Sequence, residues 1–145
     1  MANDVLIMVI RSMFSNRTAI IISFLSGLVY SISLILFAFV IQEYEFTGEG
    51  ISLIFIPVWT GVGLFLLAAI PVYLLVQYSL LSPLVIFSLN LTLALRAELS
   101  ASPGEPLNIQ FIAWFIPLGI AVAFGGIEYL IRLYLKLYPP KPLFG

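Results

Sequence analysis

Glu128 is the residue in this sequence with the most chemistry open to it. It stands in FGGIEYLIRLYLKLYPP, Phe124 to Pro140, and it is the only acidic residue that lies against a long apolar run. A carboxylate so placed either carries a proton or ion along a membrane pathway or pairs with a cation at the membrane edge. Arg132 follows at i+4. That spacing puts acid and base on one helix face, with the acid first, which is the favourable order. Near a helix C-terminus Glu128 alone opposes the macrodipole, whereas Arg132 favours it and reaches headgroup level along its aliphatic stem. Glu128 and Arg132 are therefore read as an interfacial ion pair.

Little other chemistry is on offer. The chain has no cysteine and no histidine, which removes thiolate and imidazole ligands for zinc, copper, iron–sulfur clusters and haem, and with them the commonest nucleophile and general base. Asp4, Glu43, Glu45, Glu49, Glu98 and Glu105 lie in outlying segments. No nucleophile stands beside a base and no glycine-rich phosphate loop occurs, so neither catalysis nor a cofactor is expected. A net charge of −1 without a basic cluster gives no footprint for nucleic acid.

The elements that position Glu128 follow from composition and length. With 62% hydrophobic residues and 9% charged, where soluble domains carry about a quarter charged, the chain reads as an all-α, polytopic integral membrane protein. Thr18 to Ile41 is one continuous apolar run, too long for a signal-peptide core. Ile51 to Leu95 passes without a charge. As one helix it would measure about 68 Å against a hydrocarbon core of ~30 Å, so it must fold back, and QYSLLSP (Gln77 to Pro83) is the expected turn. RAELSASPGEP (Arg96 to Pro106) reads as a loop, and Leu107 to Ile131 as the last span. The expectation is a single transmembrane domain, 1–145, with four helices in a bundle over 18–41, 51–76, 80–96 and 107–132. Residues 4–14 form an interfacial helix or an extension of the first helix, with a break expected at SNR, and 133–145 form a tail.

Charge sets the orientation. Arg11, Arg17, Arg132, Lys136 and Lys141 fall on one side of four helices and only Arg96 on the other, which places both termini in the cytoplasm. Trp59 and Trp114 are expected near the outer ends of their helices, and Tyr129, Tyr134 and Tyr138 near the inner one. The membrane is a plasma or inner membrane, or an organellar inner membrane.

The remaining polar and small residues read as packing devices. Ser88, Asn90 and Thr92 are mild intramembrane polar groups, expected to bond to a neighbouring helix or their own backbone. Asn90 and Asn16 each begin an N-x-T sequon, but neither is placed to carry a glycan. Ser23, Gly27 and Ser31 recur every four residues, and Gly119 with Ala123 and Ala121 with Gly125 offer further small pairs. Such stripes let another backbone approach closely, and one of them is expected to meet a different polypeptide. Pro57, Pro71 and Pro117 are expected to kink their helices. FIPVWTGVG (Phe55 to Gly63) and FIPLGIAVAFGG (Phe115 to Gly126) form a weak internal echo.

Four helices with a glutamate in the last are similar in outline to the proteolipid ring subunits of rotary ATPases. Those are packed with glycine and alanine and carry the carboxylate near mid-membrane, whereas this chain has 10 Gly and 11 Ala, bulky residues elsewhere, and an arginine one turn from Glu128. The expected function is a noncatalytic accessory subunit of a larger membrane complex, of the respiratory, energy-converting, oxidase or monooxygenase kind, whose partners are other integral membrane subunits and lipids. The alternative is a small transporter, channel or proton-translocating subunit that uses Glu128.

Overall fold

The structure, a computed structural model, describes residues 2–40, 50–100, 113–135 and 143. These form four helices: α1 (Ala2–Val40), α2 (Ser52–Tyr78), α3 (Ser82–Ser100) and α4 (Phe115–Leu135). Three contain segments long and apolar enough to cross a membrane, Asn16–Ala38, Ile54–Tyr78 and Phe115–Leu135, and α3 carries the shorter apolar stretch Ser82–Ala97.

The boundaries differ from the sequence reading where polarity stood in for backbone chemistry. α1 runs unbroken through Ser15, Asn16 and Arg17. None of the three is a proline or glycine, so polarity alone does not stop a helix there. The turn after α2 is shorter than Gln77 to Pro83. Gln77 still belongs to α2, and Pro83 sits in the first turn of α3, where its missing N–H is an orphan donor in any case. Ser79 ends α2 in the left-handed conformation, φ 56°. Its N–H donates to Leu75 O at 2.8 Å, and Leu80 N–H donates to Leu74 O at 3.3 Å, which satisfies carbonyls the helix end would strand.

α3 continues through Arg96 to Ser100, into the expected loop. α4 begins at Phe115 and not at Leu107, and residues 107–112 and the loop residues 42–49 lie outside those described. Trp114 therefore precedes α4, its carbonyl accepting the Leu118 N–H at 3.2 Å. Pro117 falls in the first helical turn and frees no interior carbonyl, which corrects the kink expected there. Pro57 and Pro71 do lie inside α2.

α2 is the hub of the packing, touching α1, α3 and α4, while α3 also lies along α4. Leu34, Leu64 and Ala94 join α1, α2 and α3 in one apolar cluster, and Leu67, Trp114 and Leu118 join α2 and α4 in another. The stripe on α1 packs within the chain, with Gly27 and Ser31 set against α2. Ser23, Gly27 and Ser31 are all buried there. A methyl group on Gly27 would lie 2.8 Å from the Phe65 ring and 2.9 Å from the Phe65 carbonyl. The Ser31 hydroxyl donates to Gly61 O at 3.2 Å.

The two faces of α4 separate in the same way. Ala121 (1% exposed) and Gly125 turn inward, whereas Gly119 and Ala123 are exposed, and a methyl group on Gly119 would meet nothing within 4 Å. Trp114 lies over Gly63 and Gly125 beside Leu74, so α4 runs parallel to α2.

Gly27 is thus the close approach of α1 to α2. Gly27→Leu should destabilise the chain by roughly 1–3 kcal/mol through overpacking, whereas Ser31→Ala should cost about 1 kcal/mol or less, the worth of one hydrogen bond. Unfolding in mixed micelles, followed by circular dichroism, gives both values. A neutral Gly27→Leu would place α1 away from α2.

Candidate functional site

The site starts from a problem at the head of α3. The first N–H groups of a helix have no partner within it and must be met by a cap, water or a ligand. Leu81 is the cap position, since its carbonyl accepts the Val85 N–H at 3.1 Å. Leucine is among the poorest residues there because its side chain has no oxygen to offer. Pro83 removes one donor, and the N–H groups of Leu81 and Ser82 are among those that remain.

Glu128 of α4 supplies the acceptors. Its Oε1 accepts the Leu81 N–H at 3.2 Å and its Oε2 accepts the Ser82 N–H at 2.7 Å. Arg132, one turn further along α4, donates from Nη2 to Glu128 Oε1 and forms an ion pair with it. The Glu128 side chain is 19% exposed and that of Arg132 27%, so the pair is mostly withdrawn from solvent without being sealed. The charges also match the helix ends: the carboxylate stands at the positive end of α3, and Arg132 lies in the last turn of α4.

Gly125 makes this geometry possible. A methyl group on it would lie 2.7 Å from Pro83 Cγ and 3.7 Å from Leu74 Cδ1. Without a side chain, α4 can rest on the first turn of α3, and Glu128, three residues on and on the same face, arrives level with Leu81 and Ser82. What was read from sequence as a pair is therefore a three-way clasp, with both oxygens in use. To carry a proton or ion, Glu128 would first have to release the α3 terminus.

The clasp lies at the end where the other helices are also tied. Tyr73 donates its hydroxyl to Asn16 Oδ1 at 3.3 Å, linking α2 to α1. The rings of Tyr73 and Tyr78 lie edge to face at 6.3 Å, and those of Tyr78 and Tyr129 at 6.1 Å. Leu143 N–H donates to Val76 O at 2.9 Å, at the end of α2. At the opposite end Trp59 and Trp114 touch at 5.2 Å between ring centroids, with Phe55 and Phe115 beside them.

Ser88, Asn90 and Thr92 are not gathered with Glu128. Thr92 bonds back to its own helix, its hydroxyl donating to Ser88 O at 2.8 Å; Ser88 and Thr92 are exposed and Asn90 is half-buried. Among the described residues no cluster of histidine, cysteine or acidic side chains could hold a metal ion.

No family model, curated protein or solved structure matches this chain.

The clasp makes the two charged partners unequal. Glu128→Ala strands two N–H groups and should cost roughly 2–4 kcal/mol, whereas Arg132→Ala leaves both caps in place and should cost about 1 kcal/mol or less. Glu128→Gln keeps one acceptor and should fall between them. Denaturant unfolding of the three variants in micelles tests the order, and equal losses for Glu128→Ala and Arg132→Ala would mean that capping contributes nothing.

Proposed function

We propose that this chain is a noncatalytic subunit of a larger membrane protein complex, which it supports by helix packing and lipid contact. The observation that carries the reading is the use of Glu128: the one carboxylate set against the apolar run joins α3 to α4 and pairs with Arg132. Its chemistry is spent on architecture. The outward face of α4 supports the same reading, since Phe115, Ile116, Ile120, Phe124 and Ile127 are exposed beside Gly119 and Ala123. Respiratory, energy-converting, oxidase and monooxygenase assemblies are the classes proposed, by analogy with the small apolar subunits they carry.

In this reading all four helices cross the membrane. α3 has 19 residues, about 28 Å at 1.5 Å each, close to a hydrocarbon core of ~30 Å. Arg17 and Arg132 share the end that holds the α2–α3 turn, and Arg96 lies at the other. By the excess of positive charge that end is cytoplasmic, as are both termini. The membrane is a plasma, inner or organellar inner membrane. The first 14 residues of α1 extend about 21 Å past Asn16 on the same side, a reach that suits contact with a partner.

Topology is testable because the chain has no cysteine. Single cysteines at Gly48 and Ser102 should react with an impermeant maleimide in intact cells, and those at Leu81 and Gly145 only after the membrane is opened. Labelling of Leu81 but not Ser102 in intact cells would end the four-crossing reading.

The subunit reading predicts that gentle solubilisation of the native membrane yields this chain in fixed ratio with larger membrane polypeptides, seen on a native gel followed by mass spectrometry. The purified chain alone should move no protons or ions in liposomes. Flux that Glu128→Gln abolishes without loss of expression would replace this reading with transport.

A further inference from the structure

A groove of ≈ 500 Å³ opens sideways between α1 and α3, with α2 as its floor. Its walls are apolar apart from one row on α1: Ser26, Tyr30 and Ser33, at i, i+4 and i+7, all line it. The row falls around the middle of the Asn16–Ala38 segment, about 20 Å along the helix from Arg17 in the case of Tyr30. Tyrosines of membrane helices ordinarily gather at the interface, where the hydroxyl is wet. Tyr30 is instead held inward: the Phe87 ring meets it edge to face at 5.1 Å, and it packs against the cluster of Leu67, Trp114 and Leu118.

The three hydroxyls have no hydrogen-bond partner among the described residues, although other hydroxyls of the chain find one. Ser23 donates to Ile20 O, Thr92 to Ser88 O, and Ser31 to Gly61 O across the helix pair. A serine can turn back onto its own helix at small cost, but the phenol of Tyr30 is too long to do so. An unmet hydroxyl in hydrocarbon costs several kcal/mol, and phospholipid chains at that depth bring no acceptor.

We infer that the groove binds a membrane-dissolved molecule with an apolar body and a carbonyl oxygen, which accepts from Tyr30 with Ser26 and Ser33 beside it. The volume lies in the range of small-molecule sites, and a few polar groups in an apolar lining is their usual make-up. A ketone or quinone fits better than an alcohol. It carries acceptors without donors, enters the bilayer core at lower desolvation cost, and finds in the phenol the donor it lacks. Ala68 and Val72 leave a shallow floor on which a ring can lie. The inference rests on α1–α3 being membrane-embedded and is independent of which complex the chain joins.

The test is equilibrium uptake of a naphthoquinone bearing one prenyl tail by nanodiscs that carry the full chain, compared with empty nanodiscs. Saturable excess uptake of about one molecule per chain is expected, weakened roughly tenfold by Tyr30→Phe and removed by Ser33→Leu, which fills the exposed mouth of the groove. Val122→Ala, on the outward face of α4, should leave it unchanged, and circular dichroism checks that each variant keeps its helices. Absence of saturable excess uptake overturns the inference. So does uptake that Tyr30→Phe leaves intact, because the groove would then take hydrocarbon without reading its hydroxyls.

Discussion

The first N–H groups of a helix have no partner within it and must be met from outside. In this chain the constraint falls hardest on α3, which begins after a three-residue turn with a leucine at the cap position and a proline in its first turn. The acceptor comes from another helix. Glu128 reaches across from α4, and the arrangement at this end follows: Gly125 must lack a side chain for α4 to come close, Arg132 pairs with the carboxylate, and α4 must run against α3 so that the charges meet the right ends.

The rest of the bundle packs by close approach, the source of attraction open to helices in lipid, where the hydrophobic effect is lost. α2 has no polar face to present, and its neighbours seat themselves where a side chain is missing on one helix or the other. α1 does so at Gly27 against Phe65, and Trp114 does so over Gly63, where a methyl group would collide with the indole ring at 2.0 Å. These contacts hold the helices to one another but leave the outer surfaces of α1 and α4 covered with large apolar side chains.

Much of this was legible in the residues. The helical class and the long apolar segments followed from composition and run length, and the fold-back between α2 and α3 from the length of an uncharged run against the bilayer. The Glu128–Arg132 spacing named two members of the clasp. The third member was hidden because capping of this kind is a long-range event: nothing local to Leu81 announces a carboxylate from another helix. The local sequence pointed elsewhere: Ser82 directly before Pro83 has the form of an ordinary cap, whereas the residue in the cap position is Leu81. The small-residue stripe shows the opposite limit. Its spacing identifies a close helix contact, but Ser23, Gly27 and Ser31 do not say whether the partner helix is α2 or a stranger, since both would use the same surface.

The clasp also sets an order of events during synthesis. Ser82 and Glu128 are separated by 46 positions in the chain, so at ribosomal speeds of roughly 5–20 residues per second the start of α3 is made about 2–9 s before the group that caps it. Through that interval the hairpin of α2 and α3 has two amide groups without their final acceptor, which water or another protein must meet until α4 arrives. A nascent chain stalled before Glu128 would expose those groups as a mark of incompleteness, which membrane proteases and chaperones are suited to recognise.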